Sequence, residues 1–375
     1  MSELVSRGHR VSYLVAKEYA RVVEEVGAEA VTYRSTMPGP DAKRFTLQGF
    51  DVARGLLAGL KETRALSTEL DGWFAEQRPD VVVFDGLVAW WGRLLAYRYG
   101  IPAVPCWPSL LSNDAWKLTD AYVRFNRLDP RLYWFIVRLA GLASKEGLDH
   151  VELMDSVGRG VHEHVVFLPR EFQYAGETFE KEFRFVGPCL RPREGGRRWS
   201  SPPSDGPVLL VSLGTLYQDR PDLFRTVVEA FADTPWHVVQ VIGPKVDPAS
   251  LGPIPDNIEI HRSVPQLDVL ERADLFLTHA GMGSVMEALY FGVPMIAAPQ
   301  MGEQRANADR IAELGLGRIM PEGVSPEGLR RLATEVSDDA AVREAVDRMR
   351  EVVRRSGGTE AAATVIEGAL SATVR

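Results

Sequence analysis

Residues 263–304, SVPQLDVLERADLFLTHAGMGSVMEALYFGVPMIAAPQMGEQ, constrain the fold more than any other part of this 375-residue chain. A short apolar run (274–278) ends in His279. Gly281, Gly283 and Ser284 follow, at the opening of a helical pattern. A second apolar run (295–298) ends in Pro299 and Gln300 and leads to Glu303 and Gln304. Strand, glycine-rich turn, helix and strand in this order make a βαβ unit with parallel strands and a right-handed crossover. The glycines let backbone pass close to a ligand with no Cβ in the way. The free N–H groups and positive dipole end of the helix start attract a phosphate. Glu287, one turn beyond Ser284, is placed to accept hydrogen bonds from ribose hydroxyls, and Glu303 and Gln304 suit sugar hydroxyls. The pattern implies a site for a sugar joined to a diphosphate.

The same alternation runs through the whole chain. Apolar runs at 10–15, 30–33, 81–84 and 103–106 are separated by amphipathic stretches at 18–26, 47–76 and 88–99. Runs at 208–212, 237–242, 258–261, 275–278, 295–298 and 317–319 repeat the plan. Residues 191–206, rich in Arg, Gly, Pro and Ser, have the composition of a linker. The expected fold class is α/β, with two Rossmann-like domains facing a cleft: residues 1–188, a linker at 189–206, and residues 207–375, with the last helix (360–372) a candidate to pack back on the first domain. Residues 114–145 read as helical and carry Trp116, Tyr122, Phe125, Tyr133, Trp134 and Phe135; they serve either as an apolar acceptor surface or as ordinary core. Residues 2–7 read as the end of a helix closed by Gly8 before the first strand. A doubly wound domain has a strand and a phosphate-type turn ahead of such a helix, so that first strand is expected to be missing from this chain.

Composition narrows the function. A net charge of −8 argues against nucleic acid or an anionic membrane as the main partner. No apolar run approaches the ~18 residues of a membrane span, so no stable membrane insertion is expected. The residues at the start carry no signal-peptide pattern, and Cys106 and Cys189 read as reduced thiols, which points to the cytoplasm. Oligomeric state is not legible.

SRGHRVSYLV (6–15), YRSTMPGPDA (33–42), residues 79–104, VLLVSLGTLY (208–217), residues 263–289 and PMIAAPQMGEQRANADRI (294–311) together resemble the nucleotide-diphospho-sugar glycosyltransferases of the two-Rossmann-domain (GT-B) type, and within them the bacterial macrolide glycosyltransferases. The resemblance implies that Gln266 reads the uracil edge and that His279 gives the diphosphate a charge-assisted donor. Gly281, Gly283 and Ser284 offer it backbone. Glu287 is to hold the ribose, and Glu303 and Gln304 the transferred sugar. Ser212, Gly214 and Thr215 approach the phosphates from the other side, and Gly243 passes near the base. Asp85 corresponds to the carboxylate that orients a histidine base, which belongs to the first turn ahead of SRGHRV and is absent from this chain. His9, at the start of the second strand, reads as structural. Ser263 stands where such enzymes commonly have a Trp that stacks on uracil.

The expected function is inverting transfer of a hexose, glucose first, from a UDP-sugar to a hydroxyl of a macrolide or similar lipophilic natural product, inactivating or tailoring an antibiotic. No D-x-D triplet occurs in the sequence, so no metal is expected, and no cofactor beyond the UDP-sugar as co-substrate. Two alternatives stand beside this reading: a catalytically dead, truncated donor-binding remnant, and a nucleotide-sugar epimerase on the same fold.

Overall fold

The computed structural model describes residues 1–37, 48–147, 161, 163–190, 199–200, 206–214 and 219–372. Thr215 and the latter part of the YRSTMPGPDA block (38–42) lie outside the described residues. The chain divides into two compact units. The first comprises Met1–Phe167, Glu177–Cys189 and Gly357–Arg375; the second comprises Leu168–Gly176 and Leu190–Ser356.

In the first unit, β1 (Ser12–Ala16) and β2 (Glu29–Tyr33) pair in parallel. The short strands β3 (Gln48–Gly49) and β6 (Arg124–Phe125) form a second small pair. The main sheet is parallel, in the order β4 (Val82–Asp85), β5 (Ala103–Trp107), β7 (His164–Val166), β8 (Phe183–Phe185). No ladder joins β1–β2 to this sheet among the described residues. β1 and β4 each keep an edge without a ladder partner among the described residues. Side chains connect the pair to the sheet: Leu14, Val31 and Tyr33 pack against the core of Val82, Phe84 and Leu95.

Helices α1 (Phe50–Glu69), α2 (Trp90–Tyr99) and α3 (Pro130–Lys145) cover this unit. The helical reading of 114–145 narrows here to a one-turn helix at Leu118–Ala121 and to α3. The cause is local. Asp129 caps α3 by accepting from the backbone N–H of Arg131 at 3.0 Å, and Pro130 occupies the first helical position, where no N–H is required. Within α3, Phe135 enters a core with Leu60 and Leu94, whereas Tyr133 and Trp134 are exposed.

The helix Gly358–Ala372 belongs to the first unit. It buries Ala362, Val365, Ile366 and Ala369 against Val104, Val165 and Val186. Its Glu367 carboxylate pairs with Arg7 at 2.7 Å and with His9 Nε2 at 2.8 Å, which gives His9 a structural partner.

The second unit is built on one six-stranded parallel sheet: β9 (Val208–Ser212), β10 (His237–Val241), β11 (Ile258–His261), β12 (Leu275–Thr278), β13 (Met295–Ala297) and β14 (Gly317–Ile319), ordered β11-β10-β9-β12-β13-β14. Strands β9, β10, β12 and β13 are buried at every residue, as near-continuous apolar runs are when helices cover both faces of a parallel sheet. The order reverses at β9. The chain goes from β9 outward through β10 to β11, then returns to the other side of β9 as β12. Helices α4 (Pro221–Phe231), α5 (Met282–Phe291) and α6 (Gly302–Glu313) make three of the crossovers. No described helix is long and apolar enough to cross a membrane.

Residues 357–375 group with the first unit, for the packing reasons just given, and Leu168–Gly176 groups with the second. Arg310 on α6 causes the latter: its guanidinium donates to the carbonyls of Phe172 and Glu171 at 2.9 Å and of Gln173 at 3.3 Å, and lies over the Tyr174 ring. Arg310→Ala leaves three carbonyls, two of them in part-buried bonds, without this donor, at a cost of about 1–3 kcal/mol. We expect amide exchange in residues 168–176 to accelerate while α4 and β9 keep their protection. Unchanged exchange across 168–176 would show that the guanidinium does not hold the segment.

Candidate active site

Every candidate residue of the second unit that is described lies at the carboxyl edge of its sheet. The pairing of β9 with β12 sets Thr278 opposite Ser212, so the turns that leave these two strands start side by side. This is the point where the strand order reverses, and ligands of open α/β sheets bind outside the strand ends there. The turn after β9 carries Gly214 and the turn after β12 carries His279. Gly243 follows β10, Gln266 opens the short helix Gln266–Leu270 after β11, and Glu303 and Gln304 sit in the first turn of α6 after β13.

His279 is held between two glycines. A Cβ on Gly214 would stand 2.6 Å from the imidazole Cε1, and a Cβ on Gly281 would overlap Nε2. Gly214 also has φ 75, where a side chain is strained in any case. The GT and HAG motifs therefore serve first to admit a ring between two strand ends. Gly283 differs: a Cβ there meets no heavy atom within 4 Å, so its side of the turn is open.

Burial pushes the His279 pKa down from 6.5 to about 4, opposed in part by contact with the Ser212 backbone. Its Nδ1 is buried without a hydrogen-bond partner of normal geometry among the described residues. Without ligand the ring is neutral near pH 7, because desolvation disfavours the cation and no carboxylate offsets it.

Beside the ring, α5 begins at Gly281 with no side-chain cap. Its first N–H groups have no intrahelical acceptor, and Ser284 lies in this first turn. Gln266, Ser284 and Glu287 come together: Gln266 Nε2 donates to Glu287 Oε2 at 2.5 Å and approaches Ser284 Oγ at 3.4 Å. Burial raises the Glu287 pKa, and the Gln266 hydrogen bond opposes this. A carboxylate held away from water next to an amide is a strong acceptor for hydroxyls that arrive with a ligand. At α6, Gln304 is 5% exposed and its Oε1 accepts from the backbone N–H of Gln300 at 2.8 Å, fixing the turn after β13. Gly243 has φ 70, and its carbonyl faces Arg262.

Two residues of this edge escaped the sequence reading. Ala280, between His279 and Gly281, is fully buried with φ 61. Asn307 on α6 donates from Nδ2 to the Ala280 carbonyl at 2.9 Å. Asn307 stands in the quoted stretch QRANADRI, but nothing in that pattern says which carbonyl it serves.

Asp85 belongs to the first unit and ends β4. Its Oδ1 accepts from the backbone N–H groups of Leu87 at 2.8 Å and Val88 at 3.1 Å. The turn is closed from behind by Trp107, whose ring stands 2.6 Å from where a Gly86 Cβ would lie. Oδ2 makes no hydrogen bond among the described residues. Neither described histidine of this unit bonds to Asp85: His9 pairs with Glu367, and His164 accepts from Trp107 Nε1 at 3.2 Å.

Known proteins share this organisation. A family model described as "Erythromycin biosynthesis protein CIII-like, C-terminal domain" matches residues 226–367. Demethyllactenocin mycarosyltransferase of Streptomyces fradiae is 40% identical over 383 aligned residues, spanning 98% of this chain and 82% of that protein. Oleandomycin glycosyltransferase of Streptomyces antibioticus is 36% identical over 99% of this chain and 86% of its own length. The crystal structure of CalG4, the calicheamicin glycosyltransferase, aligns with a TM-score of 0.84 at 36% identity, covering 100% of this chain and 94% of that one.

The buried neutral imidazole has a consequence for stability. Unfolded, His279 regains its ordinary pKa of 6.5; folded, it titrates at about 4. Between these values the unfolded chain binds a proton that the folded chain refuses, so stability falls as pH drops through the window, by on the order of 3 kcal/mol in full. Urea unfolding of the second-unit transition at pH 7 and pH 5 should show this loss, and His279→Gln should lessen it. Equal pH slopes in the two proteins would contradict the buried neutral ring.

Proposed function

This chain belongs to the bacterial macrolide glycosyltransferases of the GT-B fold, and from that premise we propose that it moves a hexose, glucose first, from UDP to a hydroxyl of a macrolide or similar lipophilic natural product. The epimerase and donor-remnant readings are set aside, because relatives aligned over 98–99% of this chain are named as sugar transferases.

The observation that carries the donor site is the His279 ring in its glycine cradle, beside the uncapped start of α5 at the strand-order reversal. As the glycosidic bond breaks, negative charge gathers on the departing diphosphate. The α5 N–H groups and the imidazole N–H are fixed before that charge appears, so they stabilise it without reorganising. The neutral resting state of His279 adds to this. A nearby anion favours the imidazolium, so the interaction strengthens as the leaving group becomes more anionic. Stabilisation that grows toward the transition state raises the rate rather than only the affinity.

In this reading Gln266 and Glu287 receive the nucleoside, with Glu287 as acceptor for ribose hydroxyls. Glu303 and Gln304 face the sugar, and Ser212, Gly214 and Gly243 border the phosphates and base. The dipole and imidazole take the place that a divalent cation has in other transferases. Displacement from the face opposite the diphosphate inverts the anomeric carbon. Asp85, with Oδ1 fixed by its own turn, leaves Oδ2 to orient the group that takes the acceptor proton. The exposed Tyr133 and Trp134 of α3 offer apolar surface to a lipophilic acceptor.

The test is incubation with UDP-glucose and a macrolide, with and without EDTA, followed by mass spectrometry. A hexosylated product in both is expected. Product that forms only with added magnesium contradicts the metal-free reading. His279→Ala should lower kcat/KM roughly 10- to 100-fold, the value of one hydrogen bond to a charged group. Asp85→Asn should lower kcat with the Kd for UDP unchanged; a large loss of UDP affinity instead would remove Asp85 from its assigned role.

A further inference from the structure

The turn that aims His279 is strained. Ala280 has φ 61, the left-handed region that residues with a Cβ rarely enter. Such a conformation persists only where the surroundings over-determine it. Two side chains do so. Thr278 Oγ1 accepts from the Ala280 N–H at 3.2 Å, and Asn307 Nδ2 donates to the Ala280 carbonyl at 2.9 Å. Thr278, Ala280 and Asn307 are all 0% exposed. Thr278 comes from the strand that feeds the turn. Asn307 comes from α6, one helical turn beyond Glu303, and its Oδ1 has no partner among the described residues.

We propose that Asn307 is a positioning residue: it clamps the left-handed Ala280 turn and thereby fixes the His279 ring for the diphosphate. The inference rests on the reading of His279 given above. If the carbonyl of Ala280 is released, the peptide on the far side of His279 is free to rotate out of the left-handed region. The ring then loses its fixed place in the slot between Gly214 and Gly281, where it lies too close to either glycine for a Cβ to fit. The clamp also joins two parts of the donor site. The helix that begins with Glu303 and Gln304 is tied, through Asn307, to the turn that carries His279, so a sugar that shifts α6 shifts the phosphate donor with it.

Glycine adopts φ 61 without penalty, which supplies a rescue that a mere packing role does not predict. UDP affinity is measured by calorimetry for the wild type, Asn307→Ala, Ala280→Gly/Asn307→Ala, His279→Ala and His279→Ala/Asn307→Ala, and the His279 ring resonances are recorded by NMR for the ligand-free wild type and Asn307→Ala. Asn307→Ala is expected to weaken UDP about tenfold, the worth of one hydrogen bond, and to shift the His279 ring resonances. Ala280→Gly should restore most of the affinity, and Asn307→Ala should add nothing once His279 is gone. Unchanged His279 resonances, a loss that persists in the His279→Ala background, or no rescue by glycine overturns the proposal. Should Asn307→Ala alone not fold, the Ala280→Gly pair decides: near wild-type UDP affinity supports the clamp, and an undiminished tenfold loss overturns it. If the wild type binds no UDP, the diphosphate reading fails, while the ligand-free His279 resonances still judge the clamp.

Discussion

The pairing of β9 with β12 is the contact on which the second unit's chemistry depends. It places Ser212 against Thr278 and brings two turns, distant in sequence, to the same point of the carboxyl edge. Backbone hydrogen bonds fix that register, so the imidazole that leaves β12 must pass the backbone that leaves β9. Only a residue without a Cβ fits at Gly214, and the same holds at Gly281. The crowding removes water from the ring and lowers its proton affinity. The glycines, read from the sequence as room for a ligand beside the backbone, first make room for the protein's own imidazole. The uncapped helix start beside it supplies the open side, at Gly283.

Around this slot the unit is stiff. Ala280 stays left-handed because a threonine and an asparagine hold its two peptide groups. Gln304 holds the backbone of Gln300, and Gln266 is set on Glu287. Most of these polar side chains are buried, and each serves backbone or another site residue rather than solvent. A site fixed in this way is organised before ligand arrives, which is the condition for stabilising charge that appears only during reaction. The first unit shows the complementary case. Its pair β1–β2 and its main sheet share side-chain packing but no ladder among the described residues, and Asp85 ends β4, the edge strand of the main sheet. The carboxylate is anchored by one oxygen on its own turn, a helix-cap arrangement that also leaves the second oxygen for another partner.

Much of this was legible in the residues. The strands of the second unit are short, largely apolar runs bounded by turn residues, so their number, order along the chain and parallel packing follow from the pattern. The glycines around His279, with Gln266, Glu303 and Gln304 after their strands, drew the sequence reading to the carboxyl edge where these residues lie. What the sequence withheld was non-local. The depressed pKa of His279 arises from burial of the ring, which passes close to Gly214 in the turn after another strand, and no periodicity reports such a contact. The clamp from Asn307 to Ala280 has the same character, since an asparagine in a helix gives no sign of the carbonyl it serves. In the first unit, a continuous helical reading of 114–145 overlooked the cap that Asp129 and Pro130 make. The division at residues 168–176 depends on where one arginine side chain reaches, which composition cannot show.

The most direct measurement is a crystal structure of the protein grown with UDP in the presence of EDTA. The account predicts the diphosphate at the start of α5, within hydrogen-bond distance of the His279 ring and of the backbone around Gly283 and Ser284, with the ribose at Glu287. A diphosphate bound elsewhere on the protein, or one seen at this edge only when a divalent cation is restored, would contradict it.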